Sequence, residues 1–293
     1  MILIYQMAKV ASRSWEVAAK SPLATENEPP VHCHYVVPRN RERIQAILDL
    51  PADRQTIYNM LLPRNILRAG ASGWKQIDSA RRRQQNTKIV SGMRDPVARS
   101  ISIITFMADF FGHVSRPLSP RVAVSLEYVV ESLQENWRWV LERREPDQTF
   151  EWLLWYLTDA FRSWFPDELG AAFGIDVLEG TFQRQDAMQR ISTPETDIFI
   201  YRVEDMLPEA HGYSRLLEQA SAFLETKLTS FPAVNTNSTR RSRELSAEVR
   251  RQFWLPADML DAIYSEPIVQ HFYDGDEILA FKKCWSASKL KEA

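Results

Sequence analysis

The chain has 293 residues, 45% hydrophobic and 25% charged, a globular mix that excludes collagen-like, disordered and disulfide-rich classes. Against 38 Asp and Glu stand 36 Lys and Arg, a net charge of −2, which argues against a surface that binds nucleic acid or membrane as a whole. Two cysteines, Cys33 and Cys284, are too few for a disulfide framework or a thiolate zinc site, so a reducing, cytoplasmic setting is expected.

The apolar start, Met1 to Met7, reaches Lys9 too soon for a signal peptide, and no targeting segment is expected. The later apolar runs Ser100–Phe111 and Trp152–Phe165 are broken by Asp109, Asp159 and Arg162. Neither reaches the roughly 20 apolar residues a bilayer requires. Three β-branched runs, Ile2–Met7, Val31–Val37 and Lys88–Met93, and a later one, Asp197–Val203, read as strands buried on both faces. Helical patterns follow the first and third, over Ser12–Lys20 and Pro96–Phe111. Alternation of this kind predicts parallel strands and a three-layer α/β fold. The apolar spacing of Arg121–Arg144 predicts an amphipathic helix. Further helices are expected at Arg41–Leu48, Phe150–Trp164, Tyr213–Ser230, Leu245–Phe253, Ala257–Tyr264 and Gly275–Trp285. Prolines 166, 208, 232 and 256 punctuate this largely helical second half. The polar stretch Asn235–Arg243 reads as a loop within a single domain spanning residues 1–293.

The turn after the first strand, Gln6-Met7-Ala8-Lys9-Val10-Ala11-Ser12-Arg13-Ser14-Trp15, has the composition of an anion cradle. Backbone amides at a helix N-terminus face the anion and Lys9 adds a point charge. A nucleotide-triphosphatase loop would carry leading glycines and a hydroxyl after its lysine. Here Val10 follows Lys9, which points away from an ATPase. An ordinary strand–helix turn with a surface lysine is the competing reading. A second segment, Arg94-Asp95-Pro96-Val97-Ala98-Arg99-Ser100-Ile101-Ser102, places proline at the first helical position behind an Asp cap. Arg94 suits bidentate grasp of a phosphate, to which Ser102 could donate. Simple capping beside a surface arginine is the alternative.

Taken together, the two segments resemble the sulfotransferases that use 3′-phosphoadenylyl sulfate. The resemblance implies that Lys9, Val10, Ala11, Ser12, Arg13, Ser14 and Trp15 hold the 5′-phosphosulfate, and that Arg94 and Ser102 hold the 3′-phosphate. Ala11, with Trp15 following the serines, is similar to the uronyl 2-O-sulfotransferase branch, where most of the family has glycine. That branch also has a His-x-His on a strand, matched here by His32-Cys33-His34. By motif order His34 is the expected general base and His32 the reserve. Histidine titrates near neutrality and can accept a hydroxyl proton. Alternate strand residues share a face, so both could instead be polar groups at a cleft edge.

Three further pieces resemble bacterial capsular polysaccharide synthesis proteins. They are Trp164–Leu169 with Phe173–Val177, Tyr201–Met206, and the end from Ile263 through His271-Phe272-Tyr273 to Ile278. Asn235–Arg243 departs from that pattern, offering Arg240 and Arg241 where a lysine and aromatics are expected. The combined expectation is an α/β, P-loop-like enzyme with a short parallel sheet, many helices and a large helical C-terminal part. It would transfer a sulfuryl group from 3′-phosphoadenylyl sulfate to a carbohydrate hydroxyl without a metal. Its partners would include neither nucleic acid nor a membrane span. Two rival readings are a kinase-like nucleotide phosphotransferase, and a non-catalytic member binding an anionic glycan or nucleotide.

Several residues have weaker claims. Arg81–Arg83 and Arg39, Arg41 and Arg43 could attract an anionic glycan or be plain surface charge. Trp152, Trp155, Tyr156 and Trp164 could stack on sugars, although their helical spacing favours core packing. Glu204 and Asp205 are alternative bases or supporting residues.

Overall fold

The computed structural model describes residues 1–23, 30–48, 57–114, 126–144, 149–232 and 240–287. The elements begin with β1 (Ile2–Tyr5), α1 (Ser12–Leu23), β2 (Val31–Cys33), α2 (Pro38–Leu48), α3 (Ile57–Arg82) and β3 (Thr87–Met93). Helices α4 (Pro96–Val114), α5 (Leu126–Glu142) and α6 (Thr149–Trp164) follow, then a π-helical turn over Phe165–Gly170 and the short α7 (Ala171–Phe173). The rest is β4 (Met188–Ser192), β5 (Thr196–Arg202), α8 (Tyr213–Leu224), α9 (Arg240–Gln252), α10 (Ala257–Tyr264), α11 (Pro267–Phe272) and α12 (Gly275–Trp285). Two compact units result: Met1–Arg94 with Ser163–Val234, and Asp95–Arg162 with Asn235–Ala293.

The first unit contains the sheet, in strand order β2-β1-β3-β5-β4. The first four of these run parallel, and β4 closes the edge antiparallel to β5. The fold is therefore α/β with a mostly parallel sheet. Alternate residues of the central strands face opposite layers. Ile4, Val90, Phe199 and Tyr201 pack against Trp15, Ala18 and Ala19 of α1 and Leu216, Ala220, Phe223 and Leu224 of α8. The other face includes Tyr5 and its register partner Cys33, and α3 comes against it at Gly73, where an added Cβ would lie 3.0 Å from Cys33 Sγ.

Two expected strands are shorter than their apolar runs. β1 ends at Tyr5 rather than Met7, and β2 at Cys33 rather than Val37. The amides of Val36 and Val37 bond to the Glu168 carboxylate instead of a neighbouring strand. Helix α3 and strand β4 are additions to the expected elements. Gly70 marks a close approach of α3, since a Cβ there would meet the Tyr35 carbonyl oxygen at 1.8 Å. Helix α8 stops at Leu224 rather than Ser230 because Glu225 turns left-handed, its amide reaching the Ala222 and Ser221 carbonyls. Residues 240–243 are helical rather than loop, while 235–239 lie outside the described residues.

The second unit is helical and draws on both the middle and the end of the chain. Asp95 caps α4, accepting from the amides of Val97 and Ala98 at 3.3 and 3.2 Å. The same carboxylate accepts from Tyr264 Oη at 2.6 Å and Trp285 Nε1 at 2.8 Å, which ties α10 and α12 to the start of α4. Arg99 is fully buried, its guanidinium donating to the carbonyls of Leu157 and Thr158 in α6. No helix among the described residues is long and apolar enough to cross a membrane.

Gly92 of β3 lies beneath the Tyr201 ring, and a Cβ there would fall 2.6 Å from Tyr201 Cζ. Gly92→Ala is expected to destabilise by about 1–3 kcal/mol through overpacking. Gly275→Ala, where nothing lies within 4 Å, should be neutral or slightly stabilising. Chemical denaturation of the two variants provides the comparison.

Candidate active site at the carboxyl ends of the strands

Chain order reverses about β1. From β1 the chain moves to β2 on one side, then to β3 on the other. In open α/β sheets a crevice forms outside the carboxyl ends of the strands flanking such a point. The loop after β1 and the residue after β3 meet there: Arg94 Nη1 donates to the Lys9 carbonyl at 3.3 Å.

The loop from Gln6 to Ala11 contains no glycine, yet Lys9 and Ala11 hold φ of 68° and 62°. A left-handed L-residue costs about 1–2 kcal/mol, and strain of this kind concentrates at ligand-binding turns. Left-handed residues alternating with others turn successive amides to one side as an anion-binding concavity. The Ala11 carbonyl accepts from the amides of Ser14 at 3.0 Å and Trp15 at 3.3 Å. The amides of Ser12 and Arg13 open the helix ahead of its first acceptor, as helix N-termini require. From the core side, the Tyr201 hydroxyl lies against the Val10 carbonyl and 2.8 Å from Gln6 Oε1.

Burial, and secondarily the positive charge of Arg94, lowers the Lys9 ammonium to a pKa of about 8. Two cations in one another's field, beside strained amides, form a donor set that fits a phosphate- or sulfate-sized anion. An anion between them would offset the charge repulsion that adds to burial at Lys9.

His34 follows β2. Its Nδ1 lies 2.7 Å from the Gln6 carbonyl oxygen. A carbonyl only accepts, so Nδ1 carries the proton and the neutral ring keeps its lone pair on Nε2. This is the tautomer of an oriented general base. His32 packs edge-on against it, with ring centroids 4.7 Å apart. Its Nδ1 lies 3.6 Å from Glu16 Oε2, and that oxygen accepts from Arg13 at 2.7 Å.

The other expected residues differ in what their side chains face. The Trp15 ring, expected at the nucleotide, is fully buried against Phe199, Tyr201 and Phe231. The side chain of Val10 is likewise buried, which leaves both residues only their backbone toward a ligand. Ser102 belongs to the second unit, half-buried in α4. Asp205 is engaged by Arg202 at 2.6 and 2.9 Å. Arg41 donates to the Val36 carbonyl and Arg81 to that of Ala172, so both serve the fold. Trp155, Tyr156 and Trp164 are core residues. The side chains of Arg43 and Trp152 lie outside the described residues.

One residue without an expected role stands out. Glu168, fully buried in the π-helical turn, accepts from Val36 N at 2.9 Å, Val37 N at 3.2 Å and Asn40 Nδ2 at 2.6 Å, and from the Tyr5 hydroxyl. Burial raises its pKa to about 7 although all four donors pull downward. Cys33 nearby has its thiol pushed far up by burial and then by Glu168, which removes thiolate chemistry there.

Comparison with known proteins finds no matching family model, no matching curated protein and no matching solved structure.

Glu168 generates a pH signature. In the unfolded chain it ionises near 4.5, in the folded one near 7. Between these values the native state holds the proton longer, so the Glu168 contribution to stability falls as pH rises through that window. The loss is on the order of 3 kcal/mol. Glu168→Gln should remove it, so that the stability difference between variant and wild type shifts in the variant's favour from pH 4.5 to 7. Denaturant titrations across that range measure the effect.

Proposed function

We propose that this protein transfers a sulfuryl group from 3′-phosphoadenylyl sulfate to a hydroxyl, most simply one on a carbohydrate. The observation that carries the reading is the meeting, at the strand ends, of the Lys9–Arg94 cation pair with a histidine held as the Nδ1–H tautomer. The resemblance of the segments around Lys9, His34 and Arg94 to those sulfotransferases supports the sulfuryl donor in particular, and it implies a P-loop-like placement of its phosphates.

In the proposed reaction the acceptor oxygen attacks sulfur as His34 Nε2 takes its proton. The bond from sulfur to the bridging phosphate oxygen breaks, and adenosine 3′,5′-bisphosphate leaves. Lys9 neutralises the charge growing on that bridging oxygen, while the amides from Val10 to Arg13 hold the 5′-phosphate. Donors aimed at developing charge supply the largest share of such catalysis. Arg94 holds the 3′-phosphate. His32 is the reserve base.

The test is transfer of labelled sulfur from the donor to a panel of polysaccharides. His34→Ala should lower turnover by about 10²–10⁴, the worth of a general base, with bisphosphate affinity unchanged. Lys9→Ala should lower both. With Lys9 at about 8 in the free enzyme, kcat/KM should fall above that pH as the ammonium is lost. The corresponding limb of kcat should lie higher, because the bound anion favours the charged form. Full activity in both His34→Ala and His32→Ala would remove the proposed mechanism.

A further inference from the structure

We propose that Trp164 and Glu168 are positioning residues that clamp His34 in its Nδ1–H tautomer from one continuous helical segment, a role that rests on reading His34 as the base.

The two residues stand four apart where α6 passes into the π-helical turn. Trp164 Nε1 donates to the His34 carbonyl at 2.9 Å. Glu168 takes the amides of Val36 and Val37, the second and third residues after His34. The histidine is thus fixed at its own backbone and just beyond it. The same carboxylate also accepts from the Tyr5 hydroxyl, and Tyr5 immediately precedes Gln6, whose carbonyl receives His34 Nδ1. Together with the Tyr5–Cys33 register of β1 and β2, one buried group therefore links the segment of the histidine to that of its acceptor.

The packing agrees with this division of labour. The Tyr5 and Trp164 rings meet edge-on, with centroids 4.9 Å apart. Asn40 Nδ2 bridges the Asp167 carbonyl and Glu168 Oε1 at 2.9 and 2.6 Å, which secures the start of α2 to the turn. Turns of π-helix inside longer helices recur at functional sites. Here the junction of α6 with the turn puts the Trp164 indole at the His34 carbonyl and the Glu168 carboxylate at the amides of Val36 and Val37. Neither side chain needs to reach substrate; each acts through the orientation of the imidazole. Misplacement of a reacting group by about 1 Å can cost roughly 10²-fold in rate.

The experiment is nitrogen-resolved NMR of the full chain, about two pH units above the usual histidine value so that the imidazole is neutral. The His34 signal is assigned by its loss in His34→Ala. Wild type should show the Nδ1–H form. Glu168→Gln, which retains an acceptor oxygen for the loop amides, should preserve it. Glu168→Leu and Trp164→Phe should admit the Nε2–H form and lower kcat by about 10²-fold, leaving acceptor KM near the wild-type value. A wild-type Nε2–H tautomer would overturn the proposal even if the leucine variant fails to fold. So would a folded Trp164→Phe protein with the wild-type tautomer. A changed tautomer with undiminished turnover would uphold the clamp and remove His34 as the base.

Discussion

The loop between Gln6 and Ala11 is the constraint on which the rest of the site depends. It places two left-handed, non-glycine residues within three positions, at about 1–2 kcal/mol each. Fixed partners hold it there. Tyr201 lies under the Val10 carbonyl, Arg94 donates to the Lys9 carbonyl, and the Ala11 carbonyl starts α1. Each partner comes from a different element, so the cradle exists only once β1, β3, β5 and α1 are assembled. The absence of a side chain at Gly92 gives the Tyr201 ring the room to reach the loop.

A second costly element accompanies the first. Glu168 is a carboxylate with no exposed surface, and an isolated buried charge would be prohibitive. Four donors converge on it, yet its pKa remains about 7. The group is therefore poised between charged and neutral forms while tying the end of β1 to the loop that follows β2. The parallel register of Tyr5 with Cys33 sets His34 beside Gln6, and under the proposed clamp the buried carboxylate keeps that imidazole oriented. Buried networks of this kind are costly unless fully satisfied, and they rigidify what they join.

Much of this was legible in the sequence, and the rest was not for identifiable reasons. The β-branched runs located β1, β2, β3 and β5, and Asp95-Pro96 located the start of α4 to the residue. Lys9, His34 and Arg94 were legible because their chemistry is carried by short local segments. Motif order makes Trp15 a nucleotide contact, whereas its spacing with Ala18 and Ala19 describes an inward helical face. Helix α3 was obscured by Pro63, Gly70 and Gly73, which suggest breaks; the glycines instead admit close contact with Tyr35 and Cys33. Pro166 reads as a helix end, whereas it opens the π-helical turn. Glu168 lies in the Trp164–Leu169 segment, but its role has no local signal, because its donors come from residues 5, 36, 37 and 40.

The most direct test of the cradle is calorimetric titration of the full chain with adenosine 3′,5′-bisphosphate and with ADP, with and without magnesium. A second phosphate on the Arg94 side should tighten binding by about 2 kcal/mol, roughly thirtyfold, independent of magnesium. Arg94→Ala should erase most of that preference. Equal affinity of the unmodified protein for the two nucleotides would contradict the sulfuryl-transfer reading.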